Sequence, residues 1–223
     1  TFSHPSYWKI DGKPYFSFYD LTKLLDSFGS VKETRAALDA FRAKAVAAGL
    51  PGLHLNAVAW GQPILPAEKV PVDSAALVRD LGFDSVTSYV WIHHAGMPRQ
   101  QTDYNEVRDT YFRYWDEAQK NFGVPYCPNV TMAWDSSPRC NQSDTFDASG
   151  YPFTNTISGN TPERFRTALE MTRDRLLADP KGPHILNINC WNEWTEGSYL
   201  EPDIVNGFKY LEAVRDIFAP KSK

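Results

Sequence analysis

His184-Ile185-Leu186-Asn187-Ile188-Asn189-Cys190 runs directly into Trp191-Asn192-Glu193-Trp194-Thr195-Glu196-Gly197-Ser198-Tyr199-Leu200-Glu201-Pro202. The first segment is a short apolar run of strand length and reads as a buried strand. The second is where polar groups emerge, and Gly197 releases the chain into a turn. Charged and aromatic residues gathered just past a strand are what the C-terminal face of a parallel α/β sheet or barrel presents.

The chemistry of that stretch is specific. Glu193 and Glu196 are two carboxylates three residues apart, flanked by the indoles of Trp191 and Trp194. A fully extended strand would point the two acids to opposite faces, whereas a turn at Thr195 lets them share one cavity. Sugar cleavage needs such a pair, one group to give a proton and one to take it, and a retaining glycosidase holds them about 5 to 5.5 Å apart. The alternative is that both acids are solvated loop residues and the indoles are rim packing.

Working outward, the same unit recurs. Asp11-Gly12 makes a turn before the strand Pro14 to Asp20, and a long helix follows, with Ala37, Leu38, Phe41, Ala45 and Ala48 at helical spacing and Gly49 and Pro51 as its stop. The strand Leu53 to Trp60, a Pro-rich connection from Gln62 to Pro71, and a short helix Ser74 to Leu81 come next. The strand Asp84 to Trp91 leads into a polar loop holding His93, His94 and Gly96. An amphipathic helix over Tyr104 to Asn121 precedes the strand Tyr126 to Trp134, which ends in Asp135-Ser136-Ser137-Pro138-Arg139. Residues 140 to 160 form a polar loop longer than an ordinary connection. Asn160 or Thr161 caps a helix running to about Ala178, and a last helix covers roughly Val205 to Phe218.

Five strands, each followed by a helix or helical turn, call for parallel βαβ units in a single domain without internal linkers. No G-x-G-x-x-G follows a strand, so a dinucleotide-binding sheet loses its main support. We therefore expect an α/β fold of the (β/α)8 TIM-barrel type, of which this chain supplies about five units. The candidate catalytic residues are Glu193 and Glu196, with Asp135 and Asp20 as further carboxylates. Trp60, Tyr89, Trp91, Trp134, Trp191 and Trp194 are the candidate sugar-facing walls, and Arg139 and Asn192 the candidates for holding hydroxyls. Glu196, beside Trp194 and near a second negative charge, suits the acid, which must keep its proton near neutral pH. His54, inside a strand, reads as a satisfied core histidine.

A resemblance enters at these residues. WNEWTEGSYLEPD at 191 to 203, HPSYWKIDGKPYFSFYD at 4 to 20 and MAWDSSPR at 132 to 139 resemble, in the same order, the pattern of WbsX-type proteins. These are related to the endo-α-mannosidases and endomannanases of glycoside hydrolase family 99, which carry a similar N-E-W-x-E-G segment. The resemblance implies that the five units are the C-terminal part of the barrel, the first three lying elsewhere in a full-length protein or in another chain. It also implies that Glu193 acts as a base on the substrate's own 2-hydroxyl and Glu196 as the acid/base, giving retention without a covalent glycosyl-enzyme. Thr195 stands where the mannosidases commonly have histidine, a departure that bears on mannose specificity. WbsX-type proteins also carry a glycosyltransferase label, and a non-catalytic carbohydrate-binding barrel is a third alternative.

Composition narrows the rest. The 223 residues suffice for one sizeable core, and a formal net charge of −4 without a basic patch argues against nucleic acid. Seven Trp, eleven Tyr and thirteen Phe lean toward carbohydrate contact, since much of this aromatic content falls at strand ends. Three cysteines cannot all pair within the chain, so no disulfide framework is expected. No apolar run reaches the roughly 20 residues that a membrane span needs. No cofactor or metal is called for; the expected partner is a carbohydrate substrate, with a secreted or periplasmic setting if the chain is a hydrolase.

Overall fold

A computed structural model describes residues 1–66 and 68–219. The fold is α/β, and the chain divides into two compact units. One comprises 1–60, 69–88 and 117–127, and the other 61–68, 89–116 and 128–223. Among the described residues no helix is long and apolar enough to cross a membrane.

The first unit is built on a five-stranded sheet. Lys9–Ile10 pairs antiparallel with Lys13–Phe18, and the latter continues in parallel with His54–Ala59, Ser85–Ser88 and Tyr126–Cys127. His54–Ala59 is buried along nearly its whole length, as a central parallel strand covered on both faces must be. Its one buried amide, Asn56, is satisfied across the sheet: Ser17 donates its hydroxyl to Asn56 Oδ1, and Asn56 Nδ2 donates to Ser85 Oγ, both at 2.8 Å. His54 sits 2.8 Å from Ser85 Oγ and stacks on Tyr15, so it is a packed and partnered histidine.

Where one long helix was expected after the first strand, there are two, Leu21–Phe28 and Val31–Ala47. Gly29, at φ 88°, ends the first in the left-handed region and donates its N–H to the Leu25 carbonyl. Ser30 then caps the second by accepting from the Glu33 N–H while donating its hydroxyl to Glu33 Oε2, and so restarts the helix. Asp20, a candidate site carboxylate, accepts from the Lys23 N–H and is the N-cap of the first helix. Its other oxygen lies 3.5 Å from Lys23 Nζ.

The second unit has two short parallel pairs, Gln101–Asp103 with Thr156–Ser158 and Asn129–Thr131 with Asn187–Asn189. The strand expected over Tyr126 to Trp134 is thus two strands, separated at Pro128, which lacks the N–H that a continuous ladder needs. Helix Pro162–Ala178 packs on helix Lys209–Phe218 through Phe165 and Tyr210, whose rings lie 5.5 Å apart, and an Arg166–Asp216 ion pair. The last helix begins at Lys209 rather than Val205. Asp203 Oδ1 accepts from the N–H groups of Val205 and Asn206 and holds that stretch as a turn.

The core of this unit is aromatic. Trp91 stacks against Tyr111, donates its indole N–H to the Asn129 carbonyl and is fully buried. Trp134, equally buried, donates to Thr154 Oγ1. Both were candidate sugar-facing walls; both are corrected to core, since a ring with no exposed surface has no face to offer. Residues 92 to 95, expected as polar loop, form a short helix.

Candidate active site

Strand Asn187–Asn189 delivers the chain to a hairpin in which Asn192–Glu193 pairs antiparallel with Ser198–Tyr199. Trp194–Glu196 forms a 3₁₀ turn between them, closed by Gly197 at φ 64°. The hairpin is tied to the strand below it: Ser198 donates its hydroxyl to Asn189 Oδ1 at 2.6 Å, and the Cys190 thiol donates to the Ser198 carbonyl at 3.0 Å. On its other side the Asp135 N–H donates to the Glu196 carbonyl at 2.7 Å. The segment 135–139 and the glutamate turn therefore form one wall.

Gly197 is required at this contact twice over. Its φ is one that L side chains rarely adopt, and an added Cβ would stand 3.1 Å from Asp135 Cβ and 3.3 Å from Asp135 N. Gly197→Ala is expected to destabilise the chain by about 1–3 kcal/mol. A thermal melt checks this, since each kcal/mol should lower the midpoint by roughly 2–4 °C in a chain of this size. An unchanged midpoint would show that the turn relaxes freely.

The turn brings the two glutamates to one guanidinium. Arg139 Nη2 donates to Glu193 Oε1 at 2.7 Å and lies 3.4 Å from Glu196 Oε1, while Arg139 Nε donates to Thr195 Oγ1 at 2.9 Å. Tyr151 donates its hydroxyl to Glu196 Oε1 at 3.0 Å, and Arg139 sits over the Tyr151 ring. Glu196 is 4% exposed. Glu193 is half-buried and opens to solvent.

The two acids thus differ in environment. Burial raises the Glu196 carboxyl above the usual range, with the charges of Glu193 and Glu68 acting in the same direction; the Tyr151 hydroxyl and Arg139 pull it back only in part. Burial, the Glu196 contact and its charge in turn push the Tyr151 hydroxyl up to about 12. Tyr89, half-buried, is raised by burial and then by its electrostatic interactions with Cys190, Glu196 and Glu193.

Tyr151→Phe gives a signed prediction. Its hydroxyl stabilises the Glu196 carboxylate, so removing it should lift the Glu196 pKa further. A group acting as general acid loses its proton as pH rises, so the alkaline limb of kcat/KM should move to higher pH. A pH profile of the variant checks this, and a limb that stays or moves down would place the acid elsewhere.

Around the pair, Trp191 and Trp194 are exposed at 54% and 43%, and Asn192 is exposed beside them. Trp194 stacks on Tyr199 with ring centroids 3.8 Å apart and donates its indole N–H to Glu201 Oε2. Its orientation is therefore fixed while one face stays available. Asp135 Oδ1 accepts from the Ser137 N–H, capping the turn that carries Arg139. Arg139 directs its donors at the glutamate turn. Trp60 belongs to the first unit, where it is 8% exposed and donates its indole N–H to the Tyr19 carbonyl.

Two residues that the sequence did not single out belong here. Tyr151 lies 45 positions before Glu196 in the long polar loop, where a Tyr-Pro pair was the only signal. Glu68 lies within the Pro-rich connection; its Oε2 accepts from the N–H groups of Ile64 and Leu65 and lies 3.5 Å from His93 Nε2. Burial works to raise the Glu68 carboxyl, but His93 and the two N–H groups outweigh it and hold it below the usual range. It therefore stays charged, and its charge acts on Glu196.

The family described as Glycosyltransferase WbsX matches residues 1–214. The chain belongs to the WbsX family. Among curated proteins, the WxcX protein of Xanthomonas campestris pv. campestris (strain B100) is 35% identical over 89 residues, covering 40% of this chain and 11% of that protein. The matched segment of the WbsX-family chain thus spans about a tenth of that relative's length. Among solved structures, a glycoside hydrolase-like protein superposes with a TM-score of 0.58 at 16% identity, over 96% of this chain and 56% of that one. This likeness is one of fold. A family 99 endo-α-mannosidase from Bacteroides thetaiotaomicron is matched at a TM-score of 0.46 and 15% identity, over 97% of this chain and 59% of that one.

Proposed function

We propose that the chain is a retaining glycoside hydrolase acting on an α-linked glycan or polysaccharide, and that it supplies the C-terminal five units of a (β/α)8 barrel. The observation that carries the reading is the shared guanidinium. Two carboxylate oxygens at 2.7 and 3.4 Å from one Arg139 nitrogen can be no more than about 6 Å apart, so both acids can reach the same sugar residue, as retention through the substrate's own hydroxyl needs.

The environments divide the roles. Glu196, buried and raised, holds a proton to give to the departing glycosidic oxygen; once deprotonated, it takes a proton from the water that completes hydrolysis. Glu193, half-buried and next to a cation, is the base. On the family resemblance it takes the proton of the substrate's 2-hydroxyl as that oxygen attacks the anomeric carbon and the glycosidic bond breaks. Water then opens the resulting 1,2-anhydro sugar, so the configuration is inverted twice and retained. Trp191 and Trp194 supply flat faces for sugar rings, and Asn192 and Tyr89 supply hydrogen-bonding groups.

The barrel reading draws support from strand Asn187–Asn189. Leu186 beside it and Ile188 within it are half-buried rather than buried. Further strands of a barrel would cover these side chains.

The family description favours a second reading, a glycosyltransferase that uses an activated sugar donor. Product release from a panel of α-mannans and acidic bacterial or algal polysaccharides, with the parent and Glu196→Gln compared, tests the first. Release by the parent alone supports hydrolysis. A sugar transferred from a nucleotide-sugar donor, with nothing released from the panel, supports the second reading and overturns the first.

A further inference from the structure

The segment 135–139 has two sides. One holds Arg139 against the glutamates; the other is a wall of a separate, open cavity of about 520 Å³, lined also by the loop that follows. That volume lies within the roughly 300–1,000 Å³ of small-molecule sites. The back of the cavity is firmly built: Ser136 donates its hydroxyl to the Pro152 carbonyl at 2.6 Å, and Thr154 Oγ1 accepts from Trp134 Nε1 at 3.0 Å. A ligand in it would lie across one short segment from Glu193 and Glu196.

The lining has a definite chemistry. Phe146 and Phe153 contribute two rings, and the carboxamides of Gln101 and Gln142 contribute paired donors and acceptors. Asp135 and Asp144 contribute carboxylates, and the described lining residues include no Lys, Arg or His. Asp135 Oδ1 is used by the Ser137 N–H and Asp144 Oδ2 by Asn141. Each carboxylate keeps a second oxygen that can accept from a sugar hydroxyl. The Cys140 thiol on the same wall is raised by burial and then by the charges of Asp144, Asp135 and Asp147, in keeping with a negative potential there.

We propose that this cavity is an accessory sugar subsite that takes an uncharged residue, a neutral hexose or an N-acetylhexosamine, of the chain whose scissile bond reaches Glu193 and Glu196. It turns uronates away. Rings and carboxamides suit a hydroxylated pyranose of any kind, whereas two carboxylates without a cation repel a further carboxylate. The inference rests on the hydrolase reading and narrows its substrate to polysaccharides with uncharged residues beside the cleaved bond.

The test uses Glu196→Gln, which suppresses turnover, on immobilised α-linked oligosaccharides of equal length, neutral, N-acetylated or uronate-containing. Binding should be confined to the uncharged probes, and adding Phe146→Ala should weaken it roughly tenfold. Adding Gln142→Lys, which places a cation at the rim, should raise uronate binding. A preference for uronates, no binding to any probe, or a profile that neither variant alters would overturn the proposal. Binding that follows both variants while the parent releases no product would leave the subsite standing and sink the hydrolase reading. Release with a KM unmoved by Phe146→Ala would do the reverse.

Discussion

Glu196→Gln is expected to lower kcat by about 100- to 10,000-fold while leaving the fold intact. Glutamine has nearly the same shape, and its carbonyl oxygen can still accept from the Tyr151 hydroxyl that now meets Glu196 Oε1 at 3.0 Å. What it cannot do is give up a proton to a departing alkoxide. The loss should therefore depend on the leaving group. A substrate whose aglycone departs without protonation, such as a dinitrophenolate or fluoride, should recover much of the first step. Equal loss on natural and activated substrates would mean that Glu196 is not the acid.

The same burial fixes a pH dependence. Because the carboxyl is raised in the folded chain, the folded state holds a proton that the unfolded state has released. Its contribution to stability falls as pH rises from the unfolded pKa through the folded one.

Glu193→Gln is the second large effect, expected to be of similar size but with a different signature. The base is needed whatever the leaving group, so an activated aglycone should not restore the rate. Glu193 also adds to the rise in the Glu196 pKa through its charge. Removing that charge should move any residual alkaline limb to lower pH, opposite to the direction expected for Tyr151→Phe. Full activity on a fluoride substrate would place the base elsewhere.

How much of this was legible in the sequence differs by element. Helix starts and stops with side-chain caps were readable where one residue decides the outcome, as Pro162 after Thr161 shows. The break at Gly29-Ser30 carried its own signal, a left-handed glycine and a Ser-x-x-Glu pattern, which the run of helical apolar spacing overshadowed. Pro128 likewise announced the split between the strands around it.

The site was legible as far as it is local. Glu193, Glu196, Trp191, Trp194 and Asn192 sit on one hairpin, and their spacing alone brings the two acids to one side of a turn. The direction of aromatic side chains at strand ends was not legible. Trp91 and Trp134 stand where a site wall would, yet each has a buried carbonyl or hydroxyl for its indole N–H, and nothing in a one-dimensional pattern distinguishes that partner from a substrate. Tyr151 and Glu68 were missed because their contribution depends on loop folding, which brings distant positions to one carboxylate.

The central claim is that two glutamates on one hairpin cleave an α-linked sugar with retention. Proton NMR of the first-formed product, recorded before mutarotation, tests it most directly. The account predicts the α-anomer appearing first from an α-linked substrate, and only with both glutamates present. The β-anomer appearing first, or sugar transfer that requires a nucleotide-sugar donor, would contradict it.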